Sequence, residues 1–359
     1  MSLDFHALRV QPLAARRSLT SVAEILIDPA SAAPECPAAD QAAERIAAAR
    51  ARGAAVILMY GAHLIRNGAG PLVIELMERG WVTHLATNGA GSIHDWEYAW
   101  LGRSTENVEE NVATGSFGAW DETGRNLHLA LLAGGIRGEG YGVSLGRFIR
   151  EDGVTLPAVE ELEELLRSAP ANPLTPARAD LLVAMKTHGL KAGRHEVKHP
   201  WKHTSLLAAA WRLGVPATVH PGIGYDIVSC HPMFSGAVIG RAAELDFKRF
   251  AESVDGLDGG IVLSVGSAIM APQVFEKSLS CVHNLRFQEG REAVRDHTIY
   301  VVDLQGGGGW DWSQGEPPKT NPAYYLRFCK SFSRMGGAMH YVESDNAAFV
   351  HRLCHALRK

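Results

Sequence analysis

The fold is decided by one stretch, Ala86-Thr87-Asn88-Gly89-Ala90-Gly91-Ser92-Ile93-His94-Asp95, which ends an apolar run that begins at Val82. A short apolar run bounded by turn residues is typical of a strand buried on both faces. Glycines let the backbone adopt positive φ and approach a ligand closely. A helix beginning near Ile93 would offer free N–H groups and a partial positive charge to a phosphate. The stretch therefore predicts a dinucleotide-binding turn at the end of a parallel strand, with a tight turn that binds nothing as the alternative.

Strands alternate with helices outward from this turn. The pattern predicts buried strands at 54–60, 82–87, 215–219, 260–265, 298–302 and 339–342, and helices at 71–80, 105–115, 122–137, 157–168, 176–188 and 204–214. Such alternation predicts an α/β fold, a three-layer Rossmann-like parallel sheet with helices on both faces. Ligands of these sheets bind beyond the carboxyl ends of the strands. Gly61, Asn88, Gly266 and Asp303 follow strands and are therefore expected to meet at one crevice.

Composition narrows the class of protein. The chain has 359 residues and a net charge of −4, with no basic stripe, so neither nucleic acid nor a membrane is an expected partner. Five scattered cysteines with no CxxC pair indicate a reducing compartment, and we expect the cytoplasm. We predict that residues 1–53 form an N-terminal extension with a helix capped by Asp40, and that 54–359 form a single nucleotide-binding domain.

Two further turns have the composition of ligand sites. Gly61 to Gly70 follows a predicted strand and contains Arg66 as a candidate phosphate partner, with a plain surface loop as the alternative. Gly306 to Trp312 combines four glycines with two tryptophans, which offer stacking faces for a ring or a cation. The alternative for this second turn is a mobile loop whose tryptophans pack back on the protein.

A histidine-rich segment follows the strand at 215–219. His220, Asp226 and His231 lie within it, and such a cluster suits proton transfer or metal binding. We expect His94, Asp95 and Glu97 to lie near it across the crevice. The alternative is that hydrogen-bonded histidines only hold the loop in shape.

The motif HExxH occurs at His195 to His199, but Pro200 follows at once and disfavours a helix through the motif. A zinc protease needs that motif on a regular helix together with a third ligand. We therefore predict a basic loop that leads into the helix near Thr204, and no metal site.

The order of these elements resembles the deoxyhypusine synthase family from about Ala54 to Asp303, with a poorly matching middle. That family has a strand ending in Thr-Thr-Ala-Gly-Gly-Val-Glu-Glu-Asp, and the stretch from Thr87 to Asp95 aligns with it without gaps, sharing Thr87, Gly91 and Asp95. Asp226 to His231 matches the family's Asp-x-x-x-x-His. Gly266 and Asp303 stand where the family has a glycine-rich turn and an aspartate that contact NAD.

The resemblance implies NAD bound at the strand ends, at subunit interfaces of a homotetramer. It also implies that His231 lies at the reacting end of the nicotinamide. The residues expected to contact the cofactor, by position in the turns or by resemblance, are Gly61, Asn67, Gly68, Thr87, Asn88, Gly89, Gly91, Gly266, Ser267 and Asp303.

Two differences from the deoxyhypusine synthase family argue against assigning that family's reaction to this sequence. The family's acidic pair after the glycines is Ile93-His94 here, and the segment from Phe287 to His297, where the family has its catalytic lysine, contains no lysine and no tryptophan. Without that amine the family's covalent imine cannot form there. The sequence therefore predicts an enzyme other than a true deoxyhypusine synthase.

The leading hypothesis is an NAD-dependent enzyme that transfers a hydride to or from a small substrate, with an amine as one candidate. His231 with Asp226 or His94 would move the proton, and Asp95 and Glu97 would hold one positive group. Two alternatives stay open. One is a non-redox hydrolase or deaminase that uses the His/Asp cluster with or without a metal, and the other is a nucleotide-binding protein without catalysis.

Overall fold

A computed structural model describes residues 3–358. The chain forms two compact units, each assembled from several stretches. The helical unit comprises the described residues up to Glu24, Ser92–Arg212 and Pro221–Asp246. The sheet unit comprises Ile25–Gly91, Leu213–His220 and the described residues from Phe247 onward. The predicted division into 1–53 and 54–359 stays a prediction.

The strands are β1 (Thr20–Ser21), β2 (Val56–Tyr60), β3 (His84–Asn88), β4 (Arg103–Ser104), β5 (Gly153–Leu156), β6 (Gly193–Glu196), β7 (Ala217–His220), β8 (Ile261–Val265), β9 (Thr298–Asp303) and β10 (Ala338–Glu343). The helices are α1 (Val22–Ile25), α2 (Pro37–Ala51), α3 (Ala62–Arg66), α4 (Gly70–Glu78), α5 (Gly89–Leu101), α6 (Val108–Thr114), α7 (Asp121–Gly135), α8 (Tyr141–Arg150), α9 (Val159–Ser168), α10 (Thr175–His188), α11 (Leu206–Leu213), α12 (Gly236–Asp255), α13 (Met270–Gln288), α14 (Arg327–Ser333) and α15 (Asn346–Ala356).

The sheet unit is built on a six-stranded parallel sheet in the order β10-β9-β8-β2-β3-β7. In this sheet β2 lies between β3 and β8, with Leu58 in register with Leu85 on one side and Leu263 on the other. Counted in chain order, the six strands follow the sequence 3-2-1-4-5-6, which is the order of the dinucleotide-binding Rossmann fold. The order reverses between β2 and β8.

Helices cover both faces of this sheet, which is why every residue of β2 is buried. On one face, Ile57 and Met59 pack in a core with Phe250 of α12 and Phe275 of α13. On the other face, α2 packs against β2 and β8, and α15 packs against α2 and α4. The prediction of a three-layer α/β fold with a Rossmann-like parallel sheet is confirmed.

In the helical unit, α7 packs against α8 and α10, and α9 packs against α10. The strands β5 and β6 pair antiparallel, with Val154 opposite His195. The prediction of a loop at His195 and Glu196 was therefore wrong, because the backbone there finds a partner strand about 40 residues away in sequence. The prediction that HExxH would not form a helix is confirmed.

Two helix starts differ from the sequence predictions. Helix α5 begins at Gly89, ahead of Ile93, because the Asn88 side chain accepts a hydrogen bond from the Gly91 N–H (2.8 Å) and caps the first turn. Helix α2 begins at Pro37, so Asp40 lies inside its first turn and pairs with Arg352 instead of capping it (2.8 Å).

Within residues 3–358, the helices are all too short or too polar to cross a membrane.

Candidate functional site

The candidate site lies where the strand order of the sheet unit reverses. All six strands are parallel, so their carboxyl ends share one edge, and β2 and β8 are the neighbours at which the order changes. The Gly61 N–H donates to the Val265 carbonyl (3.1 Å), so the two strand ends stay joined as far as this edge. In open parallel sheets a ligand binds in the crevice outside the strand ends at this switch point.

Glycines allow the two strand ends to approach each other. A Cβ on Gly61 would lie 2.0 Å from the Gly266 carbonyl oxygen, and a Cβ on Gly266 would lie 2.4 Å from Asn346 Nδ2. Gly266 also has φ +59, which disfavours other residues. Packing inside the sheet unit therefore accounts for both glycines without a ligand, and it is the strand order that marks this edge as a candidate site.

The turn after β3 shows the same close packing. The Thr87 hydroxyl is buried and donates to the Tyr60 carbonyl (3.0 Å), while a Cβ on Gly91 would lie 2.0 Å from that hydroxyl oxygen. Gly89 is the first residue of α5. The glycines of the stretch that decides the fold therefore bring the first turn of a helix tightly against the end of a strand.

The segment after β2 contains an arginine with an unsatisfied buried atom. Arg66 is half-buried at the end of α3, and its Nε is buried without a hydrogen-bond partner among the described residues. Asn67 beside it is exposed. Gly68 has φ +79, and a Cβ there would lie 1.7 Å from the Ile25 carbonyl oxygen, so Gly68 serves the packing of residues 25–27.

The strand ends on the other side of the switch point carry hydroxyl and carboxylate groups. The buried Ser267 hydroxyl accepts a hydrogen bond from the Ala271 N–H (3.3 Å) in the first turn of α13. Asp303, at the end of β9, is half-buried, and its Oδ1 accepts from the Gln305 N–H (3.0 Å). One oxygen of the Asp303 carboxylate therefore shapes the turn after β9.

His220 belongs to a hydrogen-bonded chain inside the sheet unit. Its Nε2 contacts the Thr218 hydroxyl (3.1 Å), which also contacts His84 Nε2 (3.0 Å), and His84 Nδ1 contacts the Ser253 hydroxyl (2.7 Å). Burial lowers the pKa of His220 to about 4 and that of His84 to about 3. These bonds favour the alternative in which His220 holds local structure.

Asp95, in the helical unit, caps helix α11. Its carboxylate accepts hydrogen bonds from the Ser205 hydroxyl (2.6 Å) and from the N–H groups of Leu206 (2.7 Å) and Leu207 (3.2 Å). Burial raises the pKa of Asp95 to about 6, although these hydrogen bonds favour the carboxylate. Both oxygens are therefore occupied by the protein itself.

Glu97 is the centre of a buried polar network. Its carboxylate forms a two-pronged ion pair with Arg16 (2.9 and 2.7 Å) and accepts hydrogen bonds from the Thr123 and Ser104 hydroxyls. Burial alone would raise the pKa of Glu97, but the Arg16 guanidinium holds it below its ordinary value. Arg16 comes from the segment predicted as an extension, so that segment contributes to the core of the helical unit.

Ser104 joins His94 to this network. The Ser104 hydroxyl donates to Glu97 (2.5 Å), so it accepts from His94 Nδ1 (2.7 Å). This arrangement places a His94 proton on Nδ1. Sequence reasoning missed Ser104 because nothing near position 104 in the sequence marks it as the partner of a histidine ten residues earlier.

His231 and Asp226 each hydrogen-bond to other residues of the helical unit. His231 Nδ1 accepts from the Met233 N–H (3.1 Å), and its Nε2 lies 3.5 Å from an Asp121 carboxylate oxygen. Burial lowers the pKa of His231, and Asp121 opposes that shift. The Asp226 carboxylate accepts from the Gly222 N–H (2.7 Å). Neutral His231 therefore uses both ring nitrogens within the protein.

The predicted site residues thus fall into two sets. All the predicted cofactor contacts belong to the sheet unit, and His94, Asp95, Glu97, Asp226 and His231 belong to the helical unit. Their assigned roles stay predictions. Among residues 3–358, no group of three or more His, Cys, Asp or Glu side chains is arranged to hold a metal ion.

Neither a protein-family model nor a curated protein matches the chain. Solved structures with a similar fold include AgrE in a ternary complex with ornithine and NAD+ (14% identity, TM-score 0.43, 90% of this chain and 33% of AgrE). They also include ArgZ, an arginine dihydrolase of the ornithine-ammonia cycle in cyanobacteria (13% identity, TM-score 0.40, 90% of this chain and 32% of ArgZ). A third is a conserved putative LOR/SDH protein from Methanococcus maripaludis S2 (12% identity, TM-score 0.43, 93% of this chain and 72% of that protein). The chain spans about a third of the length of AgrE and ArgZ.

Proposed function

We propose that the sheet unit binds NAD at the switch point between β2 and β8, and that the protein is an NAD-dependent enzyme acting on a small substrate. The observation that carries the proposal is the strand order 3-2-1-4-5-6, which places a switch point between β2 and β8. The fingerprint GxGxxG is absent after β2, so the proposal rests on topology and on the polar groups at the edge of the sheet.

The side chains at this edge fit a dinucleotide. Arg66, at the end of α3 in the segment that follows β2, is half-buried and carries a guanidinium of the kind that pairs with phosphate oxygens. Asp303, at the end of β9, has a carboxylate oxygen beyond the one that bonds Gln305, and carboxylates accept hydrogen bonds from ribose hydroxyls. The pair therefore offers a cation for the pyrophosphate and an acceptor for a sugar.

NAD, when bound, would supply the acceptor or donor of a hydride. Within the helical unit, we propose that His94 moves the proton, because its Nδ1 bonds the Ser104 hydroxyl, which in turn donates to Glu97. His231 is less suited to accept a proton, since its Nδ1 lone pair is used by the Met233 N–H. An amine remains the candidate substrate class, and deoxyhypusine synthesis is not proposed because the segment from Phe287 to His297 contains no lysine.

Replacement of Asp303 tests cofactor binding. We expect calorimetry to show NAD binding to the unaltered protein and about tenfold weaker binding to Asp303→Asn, because a charged acceptor for a ribose hydroxyl is lost. Asparagine keeps an oxygen for the Gln305 N–H, so the turn is preserved. The matched control is Asp296→Asn, an exposed aspartate just before the other end of β9. No heat from NAD with the unaltered protein, or equal weakening in both variants, would refute the proposed site.

Turnover is a separate question from binding. With NAD and a panel of small amines and alcohols, we expect reduced nicotinamide, read by absorbance at about 340 nm, for at least one compound. His94→Gln should then lower kcat by about 100-fold or more without changing NAD affinity. His203→Gln, an exposed histidine of the same unit, is the control. NAD binding with no reduction by any compound would remove the hydride-transfer part of the proposal and leave the binding part.

A further inference from the structure

A cavity of about 290 Å³ lies in the sheet unit, between the glycine- and tryptophan-rich loop after β9 and the strand β10. One wall is the loop from Gly307 to Trp312, and the other is formed by residues of β10. The loop packs closely on the strand, since a Cβ on Gly307 would lie 2.6 Å from Tyr341 Cδ1. A cavity of about 150 Å³ is enough to hold benzene, so this space accommodates a small organic molecule.

Three aromatic side chains line the cavity: Trp310, Trp312 and Tyr341. Trp312 is buried in the core of the sheet unit, whereas Trp310 is only half-buried. The Trp310 Nε1 donates to the Gly315 carbonyl (2.9 Å), and the Tyr341 hydroxyl donates to the Gln305 carbonyl, so both rings are held in place. The face of an aromatic ring attracts a cation, and tryptophan does so most strongly. Trp310 therefore offers a fixed ring to a positively charged ligand.

The charged groups of the cavity wall are carboxylates. Glu343, at the end of β10, and Asp311, in the loop, both line the cavity and are both exposed to solvent. Among the described residues, no lysine or arginine lines it. His340 also lines it, but burial and the nearby Arg45 guanidinium lower the pKa of His340, which favours its neutral form. The wall is therefore negatively charged at neutral pH.

Glu343 has another carboxylate beside it. It is in register with Asp303 across the β9–β10 pair, and paired residues of neighbouring strands point to the same face of a sheet. Burial raises the pKa of Tyr341, and the charges of Cys329, Asp303 and Glu343 raise it further, so both carboxylates act on this wall of the cavity. Like charges in such positions repel each other. Within residues 3–358 neither carboxylate forms an ion pair, so a bound cation would relieve the repulsion.

We propose that this cavity binds a small organic cation with an alkylated ammonium group, which lies over the Trp310 ring and next to the Glu343 carboxylate. The alkyl groups contact the ring, and the positive charge is attracted by both the ring and the carboxylate. A metal ion is a poorer fit, because in the described part of the chain no three His, Cys, Asp or Glu side chains are arranged to hold one. The proposal does not rest on the one for NAD, which concerns the ends of β2 and β8.

Two ligands of the same shape and different charge test the proposal. In 3,3-dimethylbutan-1-ol a carbon atom replaces the positively charged nitrogen of choline. Calorimetric titration at low salt and without NAD should show choline binding about tenfold more tightly than this alcohol. Glu343→Gln should weaken choline binding about fivefold, because the carboxylate charge is lost. The matched control is Glu276→Gln, an exposed glutamate on α13 of the same unit, which should leave the affinity for choline unchanged.

A second variant separates the ring from the carboxylate. Trp310→Leu keeps an apolar side chain at this position, and it should weaken choline binding by about threefold. Equal affinity of the unaltered protein for choline and the alcohol, no binding of choline, or equal weakening in Glu343→Gln and Glu276→Gln would overturn the proposal. Because both exposed glutamates can be replaced without disturbing the core, these outcomes are decisive even if Trp310→Leu does not fold. Absence of NAD binding would not affect them.

Discussion

Glu97→Ala is expected to lower the free energy of unfolding of the helical unit by about 3–5 kcal/mol, the cost of leaving one member of a buried ion pair without its partner. Glu97 and Arg16 are both almost fully buried, and the guanidinium forms two hydrogen bonds to the carboxylate. Ser104 and Thr123 donate to the same carboxylate, so their hydroxyls lose an acceptor as well. The decrease in the free energy of unfolding should therefore be larger than for the replacement of an exposed glutamate by alanine.

The measurement must separate the two units, because a chain of two units need not unfold in one step. Amide hydrogen exchange read by mass spectrometry on peptides of α5 and α7 reports on the helical unit. The control is Glu164→Ala, which breaks the exposed Arg167 pair of α9 and should cost at most about 0.5 kcal/mol. Arg16→Ala combined with Glu97→Ala should cost less than the two single changes added together. Strict additivity would show that the pair is not coupled.

The strands of the sheet could be predicted from the sequence because they are buried on both faces. Each appears as a short apolar run that ends in small or polar residues, as from Val56 to Gly61 and from Ile261 to Gly266. The order of the strands could not be predicted, because a fully buried strand carries no mark of its neighbours. The pairing of β2 with β8 joins residues about 200 positions apart, and that pairing creates the switch point.

The candidate site was predicted in part. The turns after β2, β3, β8 and β9 were identified because glycine and polar residues cluster after buried strands. The structural roles of Asp95 and Glu97 could not be predicted from the sequence, because a carboxylate close to a glycine-rich turn suggests a contact with a ligand. Their partners in the structure, Ser205 and Arg16, lie about 110 and 80 residues away. Only tertiary structure shows that both carboxylates serve the interior of the helical unit.

Acid should destabilise the sheet unit through His84. This histidine is fully buried, and burial, with smaller contributions from the charges of His220 and Arg249, lowers its pKa to about 3, against about 6.5 in the unfolded chain. A lowered folded-state pKa means that the stabilisation is present above pH ~6.5 and is lost as the pH falls toward about 3. The slope approaches 1.36 kcal/mol per unit only below pH ~6.5, where the unfolded histidine becomes mostly protonated, so the loss between pH ~6.5 and ~4.5 is about 2 kcal/mol.

His84→Gln should therefore flatten the pH dependence of the sheet unit. Glutamine can still meet the Ser253 and Thr218 hydroxyls that hold the imidazole, but it cannot take up a proton. We expect hydrogen exchange on peptides of β2 and β3 to show a drop in opening free energy between pH ~6.5 and ~4.5 that is smaller than in the unaltered protein by about 2 kcal/mol. His63→Gln, an exposed histidine of the same unit, should leave the drop unchanged. If unaltered protein and His84→Gln lost stability in parallel, the acid sensitivity would lie with other groups, of which buried His220, with a pKa of about 4, would be the next to replace.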